Sequence, residues 1–124
     1  MPLWLKIFTF DESPNMKLEK LLPTLVDWQD IPSDQVKGKT GFTISKLQMM
    51  GDTKIRLVEY SANYIADHWC DKGHILFVLE GELEIHYQNE TSHLVKKGMT
   101  YLVGDDSMAH MAVSKEGAKV LIID

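Results

Sequence analysis

The sequence predicts an all-β fold, a small antiparallel barrel made by one domain. Three observations lead there. From residue 41 onward the chain breaks into short runs rich in β-branched and aromatic residues, separated by closely spaced turn signals containing glycine. Several of these runs alternate apolar and polar residues with a period of two. No helical pattern of ten or more residues lies between them, which argues against a parallel α/β sheet.

The length of 124 residues fits one domain with a real core. We divide it into residues 1–40, a first strand and an irregular segment packing on the barrel, and residues 41–124, the barrel itself. Residues 3–9 are bulky and apolar and read as a strand. Residues 15–23 read as one or two helical turns, with Asn15 as N-cap and Pro23 as terminator. Trp28 and Ile31-Pro32 belong to an irregular stretch. Residues 42–49 form a strand closed by Gly51-Asp52. Residues 54–60 form the next, with Ile55 and Leu57 on one face and Arg56 and Val58 on the other. Residues 64–70 follow, then a tight turn at Asp71-Lys72-Gly73.

Residues 74–80 are mostly apolar, so both faces of that strand are expected to be covered. After Gly81, residues 82–87 send Leu83, Ile85 and Tyr87 one way and Glu82, Glu84 and His86 the other. Asn89-Glu90 reads as a hairpin turn leading to a strand at 92–95. Residues 99–103, 110–113 and 118–123 complete the set, punctuated by Lys97-Gly98, by the polar loop from Gly104 to Ser107, and by Lys115-Glu116-Gly117.

Charge narrows the partners. The net charge is −5, which disfavours nucleic acid and anionic membrane surfaces, since both need basic patches. No run approaches the ~18 apolar residues of a membrane span. Residues 1–8 are apolar but short and interrupted by Lys6, unlike a signal peptide. The single cysteine, Cys70, permits no internal disulfide and suits a reducing compartment, so the cytoplasm is the expected location.

The chemistry concentrates in four residues. His68 and Cys70 are two apart, so on a strand they share a face. The turn at 71–73 then brings His74 beside them, and His110 closes the set from a later strand. Imidazole nitrogen and thiolate sulfur suit zinc, and also iron, nickel or copper. The spacing differs from the paired cysteine knuckles of a zinc finger. The bland alternative is a polar barrel interior without metal, because a free cysteine is often simply buried.

The stretch His68-Trp69-Cys70-Asp71-Lys72-Gly73-His74, then six residues to Gly81, resembles the first motif of the cupin superfamily. That motif reads His-x-His, three or four residues, Glu, six residues, Gly. Cys70 stands where the second histidine is usual and His74 where the glutamate is usual. Gly98 and His110 resemble the second motif, with Ser114 in its Asn place and Gly104-Asp105-Asp106 replacing its Pro-x-Gly turn. The wording Ala66-Asp67-His68-Trp69-Cys70 is similar to the small bacterial cupins named for a DHCW motif, a group with no reaction to carry over.

The resemblance implies a cupin (jelly-roll) barrel and one divalent metal inside it, held by His68, Cys70, His74 and His110. Zinc is the first choice, with iron or nickel as alternatives. Cys70 acts as fourth ligand, as a tuning group, or stays unligated. The activity is unassigned. A metal-dependent enzyme of dioxygenase or isomerase type acting on a small polar molecule stands against a non-enzymatic zinc sensor with a closed site. Asp67 is a candidate to orient a histidine, and Tyr101 borders the pocket. Arg56, if buried, would anchor an anionic substrate, although an exposed face is the simpler reading. His86 and His93 read as solvated. Trp69 points away from His68 and Cys70, into packing. Small cupins commonly dimerise, so a homodimer is expected, formed through the N-terminal segment, where Leu3, Trp4, Leu5 and Phe8 are too apolar to be left in water, or through a sheet face.

Overall fold

The computed structural model describes residues 22–124. The expected strand at 3–9, and the helical turns apart from Leu22 and Pro23, lie outside that range. The described chain enters through one 3-10 turn, Trp28–Asp30, capped by the Asp27 carboxylate, which accepts from the Gln29 amide at 3.0 Å. Nine strands follow: β1 (Asp34–Lys37), β2 (Phe42–Met50), β3 (Thr53–Tyr60), β4 (Tyr64–Ile65), β5 (His74–Tyr87), β6 (Ser92–Lys96), β7 (Thr100–Val103), β8 (His110–Ser114) and β9 (Ala118–Ile123). All pairings are antiparallel, and the order β1-β2-β3-β9-β5-β8-β4 makes one curled sheet, with β6 and β7 also on β5. There is no α-helix among the described residues.

The key element is β5. The sequence suggests two strands divided at Gly81, whereas the structure shows one strand of 14 residues. Its first half pairs with β7 and β9 and its second half with β6 and β8. The change of partner occurs at a register shift between Val78 and Glu80 and at Gly81, whose φ is +74°. A β-bulge bends a strand and increases its twist, and a positive φ suits glycine. A side chain at Gly81 would run into the carbonyl oxygen of Gly117. The bend folds the sheet onto itself and creates an interior.

Period-two alternation fills that interior. On β9, Ala118, Val120 and Ile122 are buried; on β5, Leu76, Val78, Leu83, Ile85 and Tyr87 are. The outer face of the first half of β5 departs from expectation. Ile75 is 47% exposed and its cross-strand partner Leu102 is 70% exposed, so the described residues do not cover both faces of this strand. Strand β1, at 34–37, pairs with β2 in a segment expected to be irregular.

The largest correction concerns residues 64–73. They do not form a hairpin with β5. Only Tyr64 and Ile65 join a ladder, and they pair with Val113 and Ser114 of β8. The chain then leaves the sheet and touches it again at an isolated bridge between Cys70 and His110. The amide of each of these two residues donates to the carbonyl of the other, at 2.8 and 3.0 Å. Gly73 is held by Asp105, whose Oδ1 accepts from its amide at 2.7 Å.

Candidate metal centre

The bridge between Cys70 and His110 begins the site. Residues exchanging both backbone hydrogen bonds stand opposite each other with side chains on one face, so the thiol and the imidazole emerge together. His74 opens β5 and shares the inward face with Leu76 and Val78. The bend at Gly81 brings the two halves of the sheet together, and His74 meets His110 across the interior. Their Nε2 atoms are 2.7 Å apart, and the rings cross edge-on at 4.8 Å between centroids. One donor atom from each of Cys70, His74 and His110 lies within 4.8 Å of the others. His110 is 4% exposed.

The second nitrogen of each ring determines what the first can do. His110 Nδ1 lies 2.9 Å from the Met108 carbonyl oxygen, which can only accept. Nδ1 therefore carries the proton and Nε2 the lone pair. His74 Nδ1 faces Asp124 Oδ2 at 3.4 Å, an electrostatic approach rather than a formed hydrogen bond. Asp124 favours a proton on that nitrogen too. In those tautomers two lone pairs face each other at hydrogen-bond distance. Such an arrangement is stable only with a shared proton or a cation between them. A metal ligand whose other nitrogen is turned to a carbonyl or carboxylate is the usual order of a histidine metal site. Burial, followed by the nearness of His110, lowers the His74 pKa, while Asp124 opposes the shift. The lowered pKa favours the neutral ring, the form that coordinates a metal.

Asp124 is fixed in turn by Arg56, whose Nη2 donates to Oδ2 at 2.8 Å. Arg56 Nε, His74 Nδ1 and Asp124 Oδ1 are buried without a hydrogen-bond partner in the protein. Buried polar groups left unpaired are costly and uncommon, and these three belong to residues in contact at one place beside the donors. Arg56 is thus not on an exposed face; its strand alternates as expected, but its face is the inner one. Tyr60, four residues on along the same face, is half-buried near Cys70, and desolvation followed by Tyr64 pushes its phenol up. The donor set fits a borderline ion, with bonds of about 2.0–2.1 Å to nitrogen and about 2.3 Å to sulfur.

His68 is not brought into this cluster. Its side chain is 75% exposed, with Nδ1 2.6 Å from Asp67 Oδ1. The rule that residues two apart share a face holds on a strand, and residues 66–69 are outside the ladders. Asp67 does orient a histidine, but that histidine is His68, at the surface. Trp69 is 40% exposed rather than packed inside. Tyr101 borders the site, its ring 6.1 Å from that of His110. Tyr87 faces inward and His93 is exposed, as expected; Asp124 is the neighbour that the sequence alone did not single out. Asp124 was within reach, because it continues the inward alternation of Val120 and Ile122.

No family model matches the chain, and no curated protein does. Solved structures do. A cupin-2 domain protein from Shewanella frigidimarina is 21% identical, with 64% of this chain and 78% of that one aligned at a TM-score of 0.54. The polyketide cyclase RemF from Streptomyces resistomycificus is 17% identical, with 82% and 78% aligned at 0.67. The iron(II) form of the enzyme HppE is 15% identical, with 87% and 62% aligned at 0.66. At these identities the likeness establishes the fold. The chain has a cupin fold, and within it Cys70, His74 and His110 form a set able to hold a metal ion.

Proposed function

We propose that the chain is a mononuclear metal-binding cupin of the DHCW type. Cys70, His74 and His110 hold one divalent transition ion and leave a coordination position for a small polar molecule. The observation that carries this reading is the 2.7 Å approach of two imidazole nitrogens whose partner nitrogens both face acceptors. A sulfur and two nitrogens favour zinc, and iron is the alternative that the iron(II) form of a fold relative supports. The bound ion would supply Lewis acidity toward a polarised oxygen. The chain's own residues do the rest: Met108 and Asp124 orient the two rings, Arg56 balances Asp124, and the apolar wall from Leu76 to Val78 limits water. A ligating thiolate survives best in a reducing compartment, which supports the cytoplasm.

The second reading, a closed zinc sensor with four protein ligands, requires His68. An exposed ring paired with Asp67 offers little support for it. Elemental mass spectrometry on untagged protein tests the proposal. Near one equivalent of metal is expected, falling to a small fraction in His74→Ala. Absence of metal after reconstitution under reducing conditions would overturn it, and dependence on His68 would favour the closed site.

A further inference from the structure

A second polar chain crosses the barrel interior. His93 Nδ1 lies 2.8 Å from Tyr87 Oη, and Tyr87 Oη lies 2.7 Å from Tyr101 Oη. Its two ends differ. His93, on β6, is exposed to water. Tyr101, on β7, sets its ring 6.1 Å from that of His110 and 6.2 Å from that of His93. Tyr87 between them is 7% exposed and belongs to the core. Metal binding at Cys70, His74 and His110 uses none of these three residues.

Each hydroxyl has a single hydrogen, so the two phenols can be ordered in only two senses. We infer that His93, Tyr87 and Tyr101 form a hydrogen-bond relay in which the protonation of His93 determines whether Tyr101 offers a donor or an acceptor to a ligand beside His110. In the first sense His93 is neutral with Nδ1 unprotonated. Nδ1 accepts from the Tyr87 hydroxyl, and the Tyr87 oxygen accepts from Tyr101, which has only lone pairs left. In the second sense one proton from water has made His93 an imidazolium. Nδ1–H donates to the Tyr87 oxygen, the Tyr87 hydroxyl turns to donate to Tyr101, and the Tyr101 hydrogen is released toward the interior. No other bond is made or broken. The first state favours ligands that bring an N–H or O–H, and the second favours carboxylates and carbonyls. Tyr101 is thereby a specificity-determining residue, and His93 and Tyr87 position its hydrogen.

The surroundings support the relay. Burial, then the contact with Tyr87, pushes the Tyr101 phenol up, so Tyr101 keeps its hydrogen. Tyr87 from β5 and Tyr101 from β7 are the titratable groups in ring contact with His93, and His110 of β8 stands behind Tyr101. Glu82, Glu84 and His86 of β5 alternate to the opposite face, where Glu84 meets His86 at 3.2 Å and Lys115 at 3.8 Å.

The relay does not depend on the metal, and its test is separate. In isotope-labelled full-length protein, the Tyr101 ζ-carbon and the His93 ring nitrogens are followed by NMR through the histidine titration. Tyr101 is expected to inflect at the His93 midpoint. In Tyr87→Phe that inflection is lost while His93 still titrates. Should Tyr87→Phe not fold, His93→Gln, a surface change, must abolish the same inflection. A Tyr101 signal that ignores the His93 midpoint in the wild type, or keeps the inflection in either variant, overturns the inference.

Discussion

The chemistry of this chain turns on which proton sits on which nitrogen. His110 is committed by the Met108 carbonyl, and His74 is biased by Asp124. Loss of that bias should weaken metal binding without dismantling the barrel. Asp124→Asn is expected to lower metal affinity about 10–100-fold, the usual effect of altering a group that orients a ligating histidine. Competition with a chromogenic chelator would measure it, and unchanged affinity would show that Asp124 has no orienting role. The pH dependence of the metal-free protein follows from the same ring. The His74 pKa is lower in the folded chain than in the unfolded one. Between those values the unfolded state binds more protons, so stability is present above the unfolded pKa of about 6.5 and is lost as pH falls through the folded one. Urea midpoints of metal-free protein should therefore drop on acidification below neutrality, and less so in His74→Gln.

At the scale of elements, β5 carries the architecture and Gly81 allows it to serve both halves of the curled sheet. Its backbone is left-handed and the carbonyl of Gly117 occupies the place of a side chain. Gly81→Ala should cost at least ~1–2 kcal/mol for the left-handed backbone alone, with the collision added to it. Because the bend positions His74 against His110, the same substitution should also reduce metal binding. Urea denaturation with parallel metal analysis checks both; a loss of stability with full metal occupancy would mean that the bend does not set the site. The expected hairpin at 64–80 failed at this scale. Ala66 to Gly73 carry no ladder, and the position of Cys70 is set by its bridge to His110 instead.

For the whole molecule, the outer face of β7, β5 and β9 is the feature that needs a partner. Leu102, Ile75 and Ile123 form one cross-strand row on it. Burying such a row yields roughly 25 cal/mol per Å² of apolar surface, and no described residue covers Leu102. A second copy of the chain is the occupant we expect. Light scattering should report a dimer, and Leu102→Lys should yield a monomer that retains metal. A monomeric wild type would oppose this. Among the described residues no helix is long and apolar enough to cross a membrane.

The sequence by itself determined the fold and most of the donors. Period-two alternation in residues 82–87 and 118–123 marks the buried faces, glycines mark the bends, and Cys70, His74 and His110 stand out because few side chains bind soft metals. These are local signals, readable along the chain. Only the tertiary structure decided which donors meet. His68 satisfies every local rule and still faces water, because the chain leaves the sheet after Ile65. Asp124 and Arg56 come from distant strands and meet at His74 because β3, β9 and β5 are neighbours in one sheet. The relay from His93 to Tyr101 likewise exists only after β6 and β7 pair with opposite halves of β5. Strand pairing and the bend at Gly81 join residues far apart in sequence, and no local pattern encodes that proximity.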